Sequence, residues 1–332
     1  MKKLPIILAI VLYLLIYFIR YQQVYDTEGQ TQRDRGDVKV DLFQGERQFL
    51  DQKISQFLPS PQAELLSGVL LGQNKNLPGQ LKLALRDTST LHIVVASGQN
   101  LSMVAGFFLS LAGLIKRRNA LFLSLLAVLL YTLLTGVQVP ILRAAIMFSL
   151  ASLASLFGRA KEGWRVLLIT AALMLLVNPK WVTDLSFQLS FLATLGVVVV
   201  SPILLAYFKV LPIIGNDLAV TLAAQLMVTP IIIANFHQLS LVGVITNLFI
   251  GWTVPFIMIL GSLMLVLGSI LGLATSIFLT YFIYVVQFFA SLPFAWEYVG
   301  EQVWITWVGY YILLAGIMLL LNNAKADTFR RP

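Results

Sequence analysis

Apolar residues fall along this chain in long uninterrupted blocks, with polar residues gathered between them. After Lys2-Lys3, positions 4–19 (LPIILAIVLYLLIYFI) are apolar throughout and end in Arg20-Tyr21-Gln22-Gln23. Further apolar runs occupy 91–115, 120–136, 140–157, 164–177, 183–206, 218–235, 241–270, 272–292 and 303–321. A helix of about 20 apolar residues crosses ~30 Å of hydrocarbon, so the blocks predict an all-α, polytopic membrane bundle of about nine to ten transmembrane helices. No small-residue cleavage site follows the first block, and its aromatic and basic end suits an interface anchor. Residues 1–20 are therefore expected to form an uncleaved first transmembrane helix. Gly251 and Pro255 inside the 241–270 run leave room for a broken helix or a re-entrant turn.

Residues 21–90 are the one long polar stretch and are expected to form a short extracytoplasmic segment. Within it, Val38-Lys39-Val40-Asp41-Leu42 alternates like a short strand. Residues 46–58 place Phe49, Leu50, Ile54, Phe57 and Leu58 on one helical side, which predicts an interfacial helix on the membrane surface. Pro59 and Pro61 end it. Residues 91–321 then form the polytopic domain, and 322–332 a cytoplasmic tail.

Composition sharpens this picture. Of 332 residues, 58% are hydrophobic and 11% charged, where a soluble domain carries about 25% charged residues. The absence of cysteine excludes disulfides and thiolate chemistry, and His92 and His237 are the only histidines, too few for a histidine-rich metal site. No metal and no cofactor is expected.

The formal charge of +8 invites a nucleic-acid reading, but its placement points to topology. Residues 21–90 hold nine acidic and eight basic residues, so the long polar stretch is nearly neutral. The excess lies in short loops: Lys2 and Lys3, Lys116-Arg117-Arg118, Arg159 with Lys161 and Arg165, Lys209, then Lys325, Arg330 and Arg331. Short loops rich in Lys and Arg face the cytoplasm. Assigning the blocks alternately, with both termini cytoplasmic, puts every one of these loops inside and leaves Lys180 alone in a short external loop.

Candidate chemistry comes from polar residues within the apolar blocks, where a charge at a helix centre costs ~2.5–3.5 kcal/mol on insertion scales. Four places stand out. In Leu91–Asn100, His92, Gln99 and Asn100 fall within roughly a 100° arc of a continuous helix, and Ser97-Gly98 loosens it. They either line a pathway or join helices by hydrogen bonds. Arg143, three residues past Pro140, either snorkels to the interface or points inward toward a carboxylate. Asp184 and Gln188 share one face, with Thr183, Ser186, Ser190 and Thr194 on another. Asp184 is either the counter-ion of Arg143 or a helix N-cap. Gln225 and Asn247 are flanked by apolar residues, whereas Asn235, His237 and Gln238 mark the end of a helix that Pro230 kinks.

Depth relates these places. Asn100 lies roughly 12 Å deeper than His92, and Asn247 about 9 Å below the start of its run. All share the outer half of the membrane, as a vestibule requires.

These residues also carry a likeness. Gln62–Gly72 (QAELLSGVLLG), Arg86, His92 with Ser97-Gly98, Arg143-Ala144, Phe187-Gln188-Leu189-Ser190-Phe191, Leu195-Gly196, Gln225, Pro230, Phe236 and Asn247-Leu248 resemble, in order and spacing over roughly 58–295, the ComEC family of DNA-uptake competence proteins. The resemblance implies a channel passing single-stranded transforming DNA across the cytoplasmic membrane. It also implies His92, Ser97, Arg143, Asp184, Gln188, Gln225 and Asn247 as the intramembrane polar set. The family reads Ser-Gly-Leu-His where this chain reads Ser-Gly-Gln-Asn, so Asn100 stands in place of a histidine and removes a proton-relay or metal role there. Longer relatives carry an OB-like domain and a metallo-β-lactamase-like domain with a His-x-His-x-Asp signature. Neither is read in these 332 residues. Partners implied are single-stranded DNA, membrane lipid, and a separate nuclease, DNA receptor and cytoplasmic helicase.

Three function classes compete. A channel needs water, donors or cations along its length, because a DNA strand repeats a phosphate every ~3.4 Å. Gln188, Asn247 and Ser97 can donate to phosphate without base preference, and Phe187, Phe191 and Phe236 are candidates to stack on bases. An intramembrane serine hydrolase would pair Ser97 with His92 or His237, but His92 and Ser97 lie about 140° apart on one helix. A small-solute transporter would couple to an ion gradient through Asp184 or His92, and no inverted repeat is visible. The sequence favours the channel and no enzyme.

Overall fold

The computed structural model describes residues 4–31, 43–73, 76–95, 97–156, 162–212, 214–300 and 304–328. The strand expected over 38–42 and the basic residues Lys2, Lys3, Arg159, Lys161, Arg330 and Arg331 lie outside the described residues. The protein is an all-α membrane bundle. Its helices are α1 (Leu4–Thr31), α2 (Gln44–Phe57), α3 (Gln62–Leu71), α4 (Gly79–Asp87), α5 (Leu91–Val94), α6 (Gly98–Ser110), α7 (Ala112–Ile115), α8 (Arg117–Thr135) and α9 (Val139–Leu156). There follow α10 (Gly163–Val177), α11 (Leu185–Leu195), α12 (Ser201–Phe208), α13 (Gly215–Phe236), α14 (Gly243–Gly251), α15 (Thr253–Leu267), α16 (Gly272–Ala290) and α17 (Trp304–Thr328). Strands β1 (Gln238–Ser240) and β2 (Trp296–Tyr298) pair antiparallel and bring together the chain following α13 and the chain following α16.

Seven helical stretches among the described residues are long and apolar enough to cross a membrane: Gly98–Ile115, Arg117–Thr135, Val139–Leu156, Leu185–Phe208, Gly215–Phe236, Thr253–Ala290 and Ile305–Asn323. The sixth turns on itself through Gly268–Leu271 and so contains two helices, α15 and α16, that pack side by side with Phe256 stacked on Phe278 at 5.1 Å. The chain is a multi-pass membrane protein.

Apolar 241–270 does not form one helix: it divides at Trp252 into α14 and α15. The 91–115 run is also interrupted. Val95 and Ser97 are extended, so α5 ends after one turn and Ser97 opens α6 as its N-cap. Leu185–Phe208 runs through a π-helical turn at Gly196–Val200. There a Cβ on Gly196 would overlap the carbonyl of Ala223 in α13. Ala219 and Ala223 are fully buried on the facing side, and small residues of this kind let membrane helices approach at backbone distance.

Among the described residues, packing forms three apolar clusters. Residues of α2 to α5 pack with α14, α15 and α16. Leu101, Ala105, Val128, Tyr131, Ile141 and Ala144 join α6, α8 and α9. Val200 and Leu204 meet Ala219 and Ala223 of α13, with Met318 of α17 against them.

Packing buries one part of the polar stretch 21–90. In α3, Ala63 and every residue from Leu65 to Leu71 are buried, with Leu66 reaching the Gly261 position in α15. The reason is local composition: Gln62–Leu71 has Glu64 as its one charge. Ten residues span only about 15 Å, too short to cross a bilayer and suited to a buried core helix. Helix α2 covers this core with Ile54 inside. Lys53 Nζ donates to the Leu265 carbonyl at 2.6 Å, a cation on the last turn of α15, where the helix dipole favours it.

Along the outside, α1 follows α10. Tyr13 and Tyr17 donate to the Ala172 and Pro179 carbonyls, each at 3.3 Å, and Arg20 donates to the carbonyls of Leu176 and Val177 at the end of α10.

Candidate functional site

The last four carbonyls of a helix have no partner within it. In α3 one of these belongs to Val69, and two side chains converge on it. Asn100 Nδ2 donates to it at 3.0 Å and the Tyr131 hydroxyl at 3.4 Å. Gln138 Nε2 donates to the Gly72 carbonyl at 3.5 Å. Asn100 has 0% exposure, and its other end belongs to the N-cap of α6. Its backbone N–H donates to Ser97 Oγ at 3.3 Å, while the Ser97 hydroxyl donates to Asn100 Oδ1 at 3.1 Å. A short buried helix thus fixes the amino end of α6.

Arg143 meets that same end. It lies in the second turn of α9 with only 9% exposure. Nη1 donates to the Ser190 carbonyl of α11 at 2.9 Å, an oxygen that also accepts from the Thr194 hydroxyl. Nη2 occupies the notch left by the missing side chain of Gly98: a Cβ there would lie 2.7 Å from Nη2 and 3.1 Å from the Ala144 methyl. Nε has no hydrogen-bond partner. Helices α3, α6, α8, α9 and α11 therefore share one polar knot, made of Ser97, Asn100, Tyr131, Arg143 and the carbonyls of Val69 and Ser190.

Other expected residues lie elsewhere. Asp184 is the N-cap of α11, its Oδ1 accepting the Phe187 N–H at 2.8 Å, and no acidic side chain among the described residues pairs with Arg143. The helix end supplies Asp184 with a nearer donor than the guanidinium, which corrects the expected Arg143–Asp184 pair. Gln188 Nε2 donates to the Val182 carbonyl at 3.0 Å, on the same end of α11. Because the chain breaks at Val95–Ser97, His92 no longer shares an arc with Gln99 and Asn100; its Nδ1 lies 2.9 Å from the Ser89 carbonyl. Asn247 Nδ2 donates to Thr221 Oγ1 at 2.7 Å and ties α14 to α13. Gln225 lies one turn beyond Thr221, its carbonyl accepting from Thr229 at 2.7 Å.

Neither histidine bonds the Ser97 hydroxyl, which is occupied within the N-cap, so the geometry holds no serine–histidine dyad among the described residues. Nor does a group of three or more His, Cys, Asp or Glu side chains come together among them. Sequence reasoning passed over Tyr131 and Thr221. Each is a hydroxyl inside an apolar run, the same signal that singled out Ser97. The carbonyls of Val69 and Ser190 carry no sequence signal at all.

A family model described as "Competence protein" matches residues 69–324. ComE operon protein 3 of Bacillus subtilis (strain 168) is 28% identical over 204 residues, covering 61% of this chain and 26% of that protein. The uncharacterized protein YcaI of Escherichia coli (strain K12) is 28% identical over 225 residues, 60% of this chain and 28% of the relative. An uncharacterized protein of Aquifex aeolicus (strain VF5) is 32% identical over 157 residues, 46% and 37% of the two chains. This chain thus spans 26% to 37% of the length of these relatives. No solved structure matches it. The matched stretch contains Val69, Ser97, Asn100, Tyr131, Arg143 and Ser190, and so the whole polar knot; the chain belongs to the Competence protein family.

Proposed function

We propose that this chain is the membrane passage for single-stranded DNA during natural competence, set in the cytoplasmic membrane with both termini inside. Family membership supports the process. The observation that carries the passage is Arg143, a guanidinium held within the span Val139–Leu156 beside buried amide and hydroxyl groups. A strand of DNA presents one phosphate every ~3.4 Å, and a bundle that admits it needs fixed donors and cations where lipid offers none. The second amide hydrogens of Gln188 and Asn247, with the Gln225 amide, contact phosphate without reading bases, which suits uptake of any sequence. On this reading the chain performs no hydrolysis, and a nuclease, a DNA receptor and a cytoplasmic helicase act beside it.

In a transformable host, deleting the gene should abolish internalisation of labelled DNA while surface binding persists. Arg143→Gln should reproduce that loss. Asp184→Asn should transform within about twofold of the unsubstituted chain, because Asn caps a helix as well as Asp. Normal transformation by Arg143→Gln, with the protein present in the membrane, refutes the passage reading.

A further inference from the structure

We propose that the amino end of α6 and the Arg143 side chain form a binding site for a single phosphate oxyanion, of the kind a phosphodiester presents. The inference rests on the passage reading for its biological ligand but not for its chemistry.

The geometry is specific. A planar guanidinium has one edge made by Nε and Nη2, which grips two oxygens with parallel hydrogen bonds. In Arg143 the opposite nitrogen, Nη1, is committed to the Ser190 carbonyl. On the Nε–Nη2 edge, Nε has no partner and Nη2 packs against Gly98. Gly98 opens α6, a helix of 13 residues. In its first turn the Asn100 N–H is taken by Ser97 Oγ and the Leu101 N–H by the Ser97 carbonyl. The Gly98 and Gln99 N–H groups are the remaining donors at that end.

Electrostatics points the same way. A helix amino end carries about half a positive charge, so a cation placed there is repelled. Arg143 is such a cation, it is 9% exposed, and no acidic side chain among the described residues pairs with it. Its burial is held by the Ser190 carbonyl on one side and the Gly98 notch on the other. An oxyanion beside Nε that also reaches the Gly98 and Gln99 amides reverses the repulsion and uses both donor sets, the arrangement by which helix amino ends bind phosphate. One monoanionic phosphodiester matches the site's single full charge.

Inorganic phosphate, a short oligothymidylate and phosphatidylglycerol share this chemistry, and they serve as the probes. The full chain is purified in maltoside and in phosphatidylcholine nanodiscs, with chloride as the background anion. Phosphate should raise its melting temperature and compete with a fluorescent oligothymidylate. Arg143→Gln should weaken oligothymidylate binding about tenfold or more and reduce the slope of log affinity against log salt by roughly 0.7. Arg143→Lys keeps the charge but not the edge, and should recover only part of the affinity. Gly98→Ala keeps the arginine but fills the notch, and should weaken binding with the charge unchanged.

Unaltered phosphate protection and oligothymidylate affinity in Arg143→Gln and Gly98→Ala overturn the site. So does an unsubstituted chain that phosphate neither stabilises nor competes on, which decides the matter even if both variants misfold. Loss of the phosphate effect in nanodiscs doped with phosphatidylglycerol assigns the site to a lipid headgroup and removes DNA as its ligand. A chain that binds phosphate through Arg143 but is dispensable for DNA internalisation sinks the passage reading and leaves the site standing. DNA internalisation without any Arg143-dependent phosphate binding does the opposite.

Discussion

Asn100 spends every polar atom within the bundle: its backbone N–H and Oδ1 on Ser97, its Nδ2 on the Val69 carbonyl. Replacing it with Leu, of similar size, removes the acceptor of the Ser97 hydroxyl, keeps the backbone N–H that Ser97 Oγ accepts, and leaves Val69 with the long Tyr131 bond alone. A buried polar group left unsatisfied costs about 1–3 kcal/mol, so Asn100→Leu should lower thermal stability in detergent, whereas Gln99→Leu, on the exposed side, should not. The Asn100, Ser97 and Arg143 side chains were legible as unusual because amides, hydroxyls and guanidinium groups are scarce in apolar runs. Their partners were not, because two of them are backbone carbonyls. Asp184 shows the same limit: a carboxylate at a helix start reads equally as a cap or as a counter-ion until the distance to the Phe187 N–H decides it.

Apolar blocks predicted where helices lie better than where they break. The 218–235, 272–292 and 303–321 runs are recovered in α13, α16 and α17. The interruption at Val95–Ser97 was legible only as a loosening at Ser97-Gly98, since an extended residue in an apolar run leaves no periodic trace. Burial of α3 is not legible in the sequence, because a short apolar segment within a polar stretch declares its burial only through a partner such as α15. Pro230 has a consequence that spacing alone does not reveal. Lacking an N–H, it leaves the Leu226 carbonyl without its intrahelical donor, and the Tyr310 hydroxyl of α17 donates there at 2.9 Å, with Tyr311 on Met227 at 2.9 Å. Tyr310→Phe should therefore cost about 1 kcal/mol. In a Pro230→Ala background, where the helix supplies the missing donor, the same substitution should cost much less, a coupling that a double-mutant cycle in detergent measures directly.

At the scale of the molecule, charge predicts an orientation that hydropathy leaves open. The Lys116–Arg118 loop lies at one end of α8, while β2 follows α16 at what the alternating assignment makes the external side. Because the chain has no cysteine, Glu297→Cys should react with a membrane-impermeant maleimide in intact cells, and Arg118→Cys only after lysis. The reverse pattern inverts the whole arrangement. How the blocks assemble was not legible, because lateral neighbours in a membrane are chosen by small residues and close fit, and these leave little periodic signal. The π-helical turn at Gly196–Val200 is the clearest case. It inserts one backbone unit into an otherwise regular rod, and the lower half, with Val200 and Leu204 on Ala219 and Ala223, is aligned with the upper half only because of that surplus. Removing a single valine there swings everything beyond it by about 100°, so the phase between the Arg143-bearing half of the bundle and the α17-bearing half is stored in one residue's worth of length.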